Sequence, residues 1–379
     1  MNPIVVLGSG LAGYTVVREL RKLNPDIAIT LVSRDSGDYY SKPMLSNALA
    51  QGKNAENLVL TSAQKMAQQL NFTLLANTEV IAINAANKSV QTDSGILKYE
   101  KLVLAVGADA IKIPLQGDAA HEVLSVNDLS DYAKFRGALN SAKSVAIMGG
   151  GLIGCEFAND LAAAGYSVTV IDPAAYPLAS LMPQAAGEKL LEPLQKIGVT
   201  WRFGTAVQAV DKLSSGYALT LNDGTIVYAD LVLSAVGLRP RIALAREAGL
   251  AVNRGIVVDD QMRSSDAHIF ALGDCAEIGG KIQPFILPIM HAGRALAKIL
   301  NGENARVIFP AMPVVVKTPA HHIAVSPVAR DAVGAWQTLA SGDGIKLGFF
   351  DAQNKLTGFV LTGEFAAERN EMSKLLVVN

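Results

Sequence analysis

Short runs of aliphatic residues recur along the chain, and two of them lead into glycine-rich stretches. Ile4-Val5-Val6-Leu7 precedes Gly8, and Val145-Ala146-Ile147-Met148 precedes Gly149. Beyond each glycine-rich stretch, apolar positions recur at helical spacing. A short apolar run bounded by turn residues is typical of a strand buried on both faces. The pattern therefore predicts a unit of strand, turn and helix that occurs twice.

The repeat continues beyond these units. Each half carries two short alternating runs and then an apolar run that reaches a glycine, at 79–83, 88–92 and 101–108 and again at 206–210, 217–221 and 231–238. Alternation of apolar and polar residues predicts antiparallel strands with one buried face. A matched order of this length indicates an internal duplication. We therefore predict two Rossmann-like domains, each with a small antiparallel insert.

The pattern changes after the second unit. Ser264–Asp274 is expected to form a strand that ends in Gly-Asp, followed by a helix from about Pro288 to Leu300. Because these elements complete the first unit, we expect the first domain to be discontinuous. From Phe309 onwards, short alternating strands and a final helical stretch from Ala366 to Leu376 predict a small C-terminal α+β domain. The predicted fold class is α/β.

Composition narrows the class of protein. The 379 residues are 50% hydrophobic with a formal net charge of −1, so no global field attracts nucleic acid or anionic membrane. The first strand begins at Pro3, and no run approaches the roughly 20 apolar residues of a membrane span, so we expect a cytoplasmic protein without membrane insertion. Cys155 and Cys275 are far apart and form no C-x-x-C, which fits a reducing compartment and excludes a dithiol redox centre.

The glycine-rich stretches carry the candidate chemistry. They read Gly8-Ser9-Gly10-Leu11-Ala12-Gly13 and Gly149-Gly150-Gly151-Leu152-Ile153-Gly154. In such a turn the first glycine allows the sharp bend, the second lets the backbone approach a pyrophosphate, and the third lets helix and strand pack closely. The helix N-terminus then faces the phosphates. Two such turns predict two bound dinucleotides.

Acidic residues at strand ends indicate which dinucleotide binds where. Asp172 follows the second turn at the sequence spacing of the acidic residue that binds the adenosine ribose in such domains. A carboxylate at this position repels a 2′-phosphate and therefore favours NADH over NADPH. The first unit has Arg34 and Asp35 there, and Asp35 is either a turn residue or a ribose ligand. Gly273-Asp274 favours FAD for this unit, because a buried strand-end carboxylate needs a partner such as the ribityl chain.

These motifs resemble those of one family from end to end. The two glycine turns, Ala105–Ala108, Ala235–Pro240 and Ile269–Glu277 are similar to motifs of the FAD-dependent pyridine-nucleotide oxidoreductases. More narrowly, Tyr40–Ser46 and Val316–Pro319 resemble the rubredoxin reductases and their flavorubredoxin-reductase relatives.

The resemblance implies a duplicated, glutathione-reductase-like fold with FAD and NADH as cofactors. The implied domains are an FAD-binding domain at 1–109 and 242–308, an NAD-binding domain at 110–241 and a C-terminal domain at 309–379.

The resemblance also implies roles at the flavin. Lys42 and Pro43 are expected to lie against the isoalloxazine, and Lys317 is expected to reach it from the C-terminal domain. Cations there would stabilise the negative charge of reduced flavin. Ile286 and Val80 are expected to bind flavin and adenine through their main chains. The alternatives are solvated lysines and apolar core positions.

Glu156 stands in the first turn of the helix that is predicted to follow the second glycine-rich turn. A carboxylate there either complements the helix dipole or, as the resemblance implies, orders the stack of nicotinamide on flavin. We predict Lys42, Glu156 and Lys317 as the catalytic set and no metal site. The predicted cofactor-binding set is Gly8, Ser9, Gly10, Leu11, Ala12, Gly13, Ser33, Arg34, Lys42, Pro43, Val80, Ala105, Gly107, Gly149, Gly151, Gly154, Glu156, Asp172, Gly237, Gly273, Asp274, Ile286 and Lys317.

The absence of a cysteine relay bears on the electron acceptor. Hydride passage between stacked cofactors needs orientation more than acid–base groups, and the electrons must then leave directly from the flavin. The predicted partner is rubredoxin, an acidic one-electron iron carrier steered by Lys42 and Lys317. Asn47 stands where ferredoxin-reducing relatives carry a basic residue, which favours rubredoxin over [2Fe-2S] ferredoxin.

Three questions about function stay open at this point. One alternative is a ferredoxin reductase of a monooxygenase system, and another is a redox-sensing protein that binds NADH and FAD. Rubredoxin and flavorubredoxin are both possible acceptors. The resemblance permits a downstream alkane hydroxylase.

Overall fold

The computed structural model describes residues 2–329 and 331–376. Its contacts divide the chain into two compact units, of which the first comprises residues up to 42, 59–109 and 238–309. The second comprises 43–58, 110–237 and the residues from 310 onwards. The division into three domains with the limits given above stays a prediction. Each unit is described in turn.

A parallel five-stranded sheet forms the centre of the first unit. Its strands lie in the order Ile269–Ala271, Lys101–Leu104, Ile4–Leu7, Ile29–Val32 and Thr73–Leu75. Nearly every side chain of these inner strands is buried, as expected for a parallel sheet covered on both faces.

Two long helices of the first unit, Leu11–Leu23 and Ile286–Leu300, pack against each other. Gly293 permits their close approach, because a Cβ there would lie 2.6 Å from the Thr15 side chain. The second helix begins at Ile286 rather than at the predicted Pro288, which lies in the first turn, where a proline is tolerated.

The predicted strand Ser264–Asp274 is wrong in length. Only Ile269–Ala271 is a strand, and Gly273–Cys275 forms a 3₁₀ turn. Upstream, Ser264 Oγ accepts from the Asp266 amide, and Asp266 Oδ1 accepts from the His268 amide. Such local side-chain bonds compete with strand pairing for the same backbone donors.

The smaller elements of the first unit surround this core. Val80–Asn84, Ser89–Thr92 and Gly95–Lys98 form an antiparallel insert. The other strands are Tyr39–Tyr40, Val59–Thr61, Leu238–Pro240, Ile256–Val258 and Ala276–Ile278, and the other α-helices are Ala63–Leu70 and Ala243–Glu247. Two elements cross the boundaries of the unit, the strand Ala108–Ala110 and the 3₁₀ helix Lys42–Ser46.

The second unit repeats this plan. Its parallel sheet runs in the order Leu231–Ser234, Ser144–Met148, Ser167–Asp172 and Val199–Phe203. This is the order of the first sheet without the strand from 269–271. An antiparallel insert again interrupts the sheet in the sequence, and it consists of Val207–Lys212, Tyr217–Leu221 and Ile226–Ala229. It precedes the strand Leu231–Ser234, as the insert of the first unit precedes Lys101–Leu104. The predicted fold class, with its duplicated Rossmann-like architecture, is confirmed.

An antiparallel five-stranded sheet ends the second unit. Its strands lie in the order Val314–Val316, Ile323–Ser326, Leu356–Thr362, Ile345–Asp351 and Gly334–Ser341. The last helical stretch starts earlier than predicted, as a 3₁₀ helix over Gly363–Glu368 followed by an α-helix over Arg369–Leu375. The Glu364 carboxylate accepts from the Gly344 amide and so holds the first turn against the neighbouring hairpin.

The remaining helices of the second unit are short except for two. The α-helices are Ala55–Leu58, Leu129–Leu139, Leu152–Ala163, Gln184–Gly187 and Leu191–Lys196, and the 3₁₀ helices are Ala120–Glu122 and Glu188–Leu190. Within residues 2–329 and 331–376, every helix is too short or too polar to cross a membrane.

Candidate nucleotide and electron-transfer sites

The first glycine turn joins the strand Ile4–Leu7 to the helix Leu11–Leu23. Gly8 has φ of +112°, and a Cβ there would lie 2.3 Å from the Ala105 carbonyl oxygen. A Cβ on Gly13 would lie 1.9 Å from the Gly8 carbonyl oxygen. Gly10 differs, because a Cβ there meets nothing within 4 Å. The helix that starts beyond it has no side-chain cap, so its first amides are available to an anion.

The second turn has the same stereochemistry. Gly149 has φ of +104°, and its Cβ would lie 2.7 Å from the Ala235 carbonyl oxygen. A Cβ on Gly154 would lie 1.9 Å from the Gly149 carbonyl oxygen, and Gly151 again faces open space. The helix Leu152–Ala163 likewise lacks a side-chain cap. Each turn thus has two glycines required by the fold and one that leaves room for a phosphate.

A polar cluster lies beside the first turn. The hydroxyls of Ser9 and Ser33 are 2.7 Å apart, and Ser33 Oγ donates to Asp35 Oδ1 at 2.6 Å. Asp35 Oδ1 also accepts from the Gly37 amide at 2.9 Å. Asp35 therefore has the local bonds of a turn residue and also lies beside the predicted ligands Ser9 and Ser33. Both interpretations of Asp35 agree with this geometry.

Lys42 and Asp274 form the second polar feature of the first unit. Lys42 Nζ lies 3.7 Å from Asp274 Oδ2, with the lysine side chain 38% exposed and the aspartate side chain 16% exposed. Gly273 has φ of +79°, and a Cβ there would lie 2.9 Å from Ala12 Cβ at the start of the first helix. The Gly-Asp segment is therefore packed directly against the first glycine turn.

Asp172 is held by the second glycine turn. Its Oδ2 accepts from the Gly150 amide at 2.5 Å, and its Oδ1 accepts from the Ala174 amide at 2.7 Å. Each carboxylate oxygen keeps a further lone pair for a hydroxyl donor. The two backbone bonds fix the carboxylate at the end of its strand, where a ribose ligand is expected.

Glu156 and Lys317 form an ion pair inside the second unit. Lys317 Nζ lies 2.6 Å from Glu156 Oε2, and the Lys317 amide donates to Glu156 Oε1 at 2.9 Å. Ser46 Oγ donates to Glu156 Oε2 at 2.5 Å and accepts from Lys317 Nζ at 2.8 Å. The third partner of the ammonium is the Pro43 carbonyl oxygen. Two residues of the predicted catalytic set therefore meet each other, with Ser46 between them.

Sequence reasoning missed Ser46 and two further polar residues near this pair. Asn159 Oδ1 accepts from the Ala320 amide at 3.0 Å. Asp160 accepts from the Leu49 and Ala50 amides at 2.8 and 3.0 Å. Burial raises the pKa of Asp160, and the two amide bonds oppose that rise. The available signal was a row of polar residues at positions i, i+3 and i+4 of a mostly apolar helix.

The other predicted residues lie as follows. Val80 begins the first strand of the insert. Ile286 is the first residue of its helix, and 42% of the surface of this residue is exposed. Gly107 follows the strand Lys101–Leu104 and Gly237 follows the strand Leu231–Ser234, and both glycines have positive φ. The Gly107 carbonyl accepts from the Arg241 amide. Arg34 follows the strand Ile29–Val32, beyond Ser33.

Both cysteines are buried in the structure. Burial raises the pKa of Cys275 to about 11, and it also raises the pKa of Cys155. Cys155 Sγ lies 3.2 Å from the Gly150 carbonyl oxygen, and Cys275 Sγ lies 3.4 Å from that of Leu104. Thiols of this kind act as small packing residues rather than as nucleophiles.

Comparison with known sequences agrees with this geometry. Residues 2–297 match the family described as pyridine nucleotide-disulphide oxidoreductase. The chain belongs to this family. Residues 306–376 match a second family, described as rubredoxin binding C-terminal domain, which covers the antiparallel sheet and final helices. The resemblance drawn from the motifs is confirmed.

Individual members of the family are similar over almost the full length. A rubredoxin-NAD(+) reductase of Alcanivorax borkumensis is 46% identical, with 99% of each chain covered. One of Acinetobacter baylyi is 43% identical, with 99% of this chain and 98% of that protein covered. Among solved structures, the covalent putidaredoxin reductase–putidaredoxin complex is 26% identical, with a TM-score of 0.89, and covers 100% of this chain and 94% of that one.

Proposed function

We propose that this chain is an NADH-dependent FAD reductase that passes electrons singly to rubredoxin. The observation that carries the proposal is the pair of equivalent glycine turns, in which Gly10 and Gly151 leave room for two pyrophosphates. The rubredoxin-binding family match over 306–376 supports the acceptor. We further propose a cytoplasmic location, consistent with two buried free thiols.

The residues of the first unit fit FAD. Gly8, Gly10 and Gly13 would hold its pyrophosphate at an uncapped helix N-terminus. Asp274, only partly exposed beside Lys42, would accept from the ribityl chain. When bound, FAD would provide the redox chemistry, because a flavin can accept a hydride and give up electrons one at a time.

The residues of the second unit fit NADH. Gly149, Gly151 and Gly154 would hold its pyrophosphate, and Asp172 would accept from the adenosine ribose. A carboxylate fixed by two amides repels a 2′-phosphate, which gives the chain its preference for NADH. We propose that Glu156 and Lys317, joined to the Pro43 carbonyl and Ser46, hold a fixed arrangement of charges for the nicotinamide and flavin rings.

The two lysines predicted to steer rubredoxin both have carboxylate neighbours. Lys317 is paired with buried Glu156, and Lys42 lies 3.7 Å from Asp274. Their fields on an approaching acidic protein are partly cancelled, so they add less to steering than the sequence indicated. We therefore expect the double variant Lys317→Gln with Glu156→Gln, which removes both charges of the pair, to leave the salt dependence of rubredoxin reduction unchanged.

The test mixes NADH-reduced protein with rubredoxin, a [2Fe-2S] ferredoxin and dioxygen in parallel stopped-flow experiments. We expect the second-order rate to be highest for rubredoxin and to fall as salt shortens the Debye length below about 8 Å, while reduction by NADH barely changes. A rate no higher than that of ferredoxin, with no salt dependence, would reject rubredoxin as the acceptor. Slow turnover with every acceptor would favour the redox-sensing alternative.

A further inference from the structure

One face of the helix Leu152–Ala163 carries three buried polar side chains. Glu156, Asn159 and Asp160 are only 1%, 4% and 3% exposed. Positions i, i+3 and i+4 lie on the same side of a helix, so these side chains point in one direction. Buried polar groups are costly without partners, so the identity of their partners is informative.

The partners belong to two irregular segments that are far apart in the sequence. Asp160 accepts from the consecutive amides of Leu49 and Ala50. Asn159 accepts from the Ala320 amide. One helical turn before these anchors lies Glu156, which binds Ser46 from the first segment and Lys317 from the second. One rigid helix face therefore holds both segments.

We propose that Asp160 and Asn159 are positioning residues that set where Ser46 and Lys317 meet Glu156. The inference rests on the proposed function, in which the Glu156–Lys317 pair acts at the cofactor rings. The two anchors donate nothing to Ser46 or Lys317 in these bonds, because they accept from the backbone amides of other residues. Those amides belong to Leu49, Ala50 and Ala320. The anchors act by fixing the main chain three to four residues beyond each member of the cluster.

The physical reason is the cost of ordering irregular chain. Ser46 is the last residue of the 3₁₀ helix Lys42–Ser46, and Lys317 directly follows the strand Val314–Val316, so both residues stand where regular structure ends. Anchors on the amides three to four residues further on restrict the backbone of both segments, which lowers the conformational entropy that the ion pair itself must offset. Because the partners of Asp160 are backbone amides, the anchor constrains the path of the chain whatever side chains it carries.

Asp230 provides a matched control in the same unit. Its Oδ2 accepts from the consecutive amides of Lys143 and Ser144 at 2.8 and 2.9 Å. Those amides lie at the start of the strand Ser144–Met148, whereas the glycine turn follows its end. Asp230→Asn therefore removes the charge from an acceptor of two consecutive amides at a site whose hydrogen bonds go to Lys143 and Ser144 rather than to Ser46 or Lys317.

The first measurement is limited trypsin digestion of the FAD-loaded wild type, Asp160→Asn and Asp230→Asn. Cleavage after Lys53 reports release of the anchored segment, whereas the Lys42–Pro43 bond resists trypsin because proline follows the lysine. Losing a buried acceptor should raise the rate of cleavage after Lys53 about tenfold in Asp160→Asn. Asp230→Asn should match the wild type at this bond.

The second measurement separates positioning from simple structural support. In Asp160→Asn we expect kcat with rubredoxin to fall about tenfold, KM for NADH to stay within about twofold, and the visible absorption bands of the flavin to shift. Asn159→Ala, which frees the other segment, should change the same quantities in the same direction. It also serves as the test variant if Asp160→Asn does not fold.

Faster cleavage with unchanged kcat, KM and flavin bands would overturn the proposal and leave the reductase function intact. Unchanged cleavage after Lys53 in Asp160→Asn would also overturn it. A wild type that does not oxidise NADH would refute the function itself, which is a different outcome.

Discussion

The Lys317 ammonium lies 2.6 Å from the Glu156 carboxylate, and the Lys317 backbone amide donates to the other oxygen of the same group. The Glu156 side chain is fully buried, while 27% of the Lys317 side chain is exposed. A single residue thus neutralises the charge and also occupies a hydrogen-bonding site of the carboxylate. Removing either side chain leaves the other without its counter-charge.

We expect Lys317→Met to lower the free energy of unfolding by about 3 kcal/mol, because the buried carboxylate loses its counter-charge. The double variant Lys317→Met with Glu156→Gln should recover part of that loss, since neighbouring effects are not additive. Urea unfolding of the FAD-loaded proteins measures both. Lys196→Met breaks an exposed helical pair and should have no measurable effect. Equal stability of Lys317→Met and Lys196→Met would show the pair to be dispensable for stability.

Two alanine substitutions should separate the two nucleotide sites. Gly10 and Gly151 have φ of −72° and −76°, and a Cβ at either position meets nothing within 4 Å, so the protein itself should tolerate alanine there. Gly10→Ala should weaken FAD binding about tenfold or more, because the Cβ fills the space of a pyrophosphate. Gly151→Ala should retain FAD and raise KM for NADH by a similar factor.

Flavin absorbance after gel filtration and steady-state kinetics check these expectations. Gly13→Ala provides the contrast, since its Cβ would overlap the Gly8 carbonyl and should prevent folding. Flavin loss from Gly151→Ala with full retention in Gly10→Ala would reverse the assignment of the two sites.

Asp172 should determine the preference between nicotinamide nucleotides. We expect the wild type to prefer NADH by at least about tenfold in kcat/KM, equivalent to about 1.4 kcal/mol, and Asp172→Ala to reduce that ratio to about threefold. KM for both nucleotides should rise, because the Gly150 amide loses its acceptor. The ratio is therefore the informative quantity. Asp223→Ala, at an exposed turn, should leave it unchanged, and an unchanged ratio in Asp172→Ala would assign discrimination to another residue.

Asp230 should contribute stability that depends on pH. Its amide bonds, first that of Lys143, lower the pKa of its carboxyl below the usual 3.8. A lowered folded-state pKa means that the stabilisation is complete above the unfolded pKa and disappears as pH falls through the folded one. Wild type should exceed Asp230→Asn by about 1 kcal/mol at pH 7, with the difference vanishing in strong acid. Thermal unfolding across this range measures it, and a constant difference would contradict the expectation.

The glycine turns could be predicted from the sequence because the residues of each motif are contiguous. Gly8, Gly13, Gly149 and Gly154 are required by contacts within one strand–turn–helix unit or with the neighbouring strand. The paired inserts were predictable for the same reason, since alternation is a local pattern.

The residues around Glu156 could not be predicted in this way. Ser46 ends the motif Tyr40–Ser46, and Asn159 and Asp160 belong to the polar row of one helix, but neither pattern shows what these residues bind. Their partners lie more than a hundred residues away in the sequence. Only the fold brings them together. The error at Ser264–Asp274 has the opposite cause, because short polar side chains satisfy the backbone locally over 264–268 and the strand starts only at Ile269.

The strand Ile269–Ala271 has a consequence for how the protein folds. It pairs with Lys101–Leu104, and the helix Ile286–Leu300 packs on Leu11–Leu23, so the first unit uses both early and late parts of the chain. At about 5–20 residues per second, a ribosome needs on the order of tens of seconds to supply those last elements. The glycine turn at Gly149 is synthesised well before the sheet behind Gly8 can be completed. The nascent chain should therefore be able to complete the parallel sheet behind its second glycine turn before the sheet behind its first.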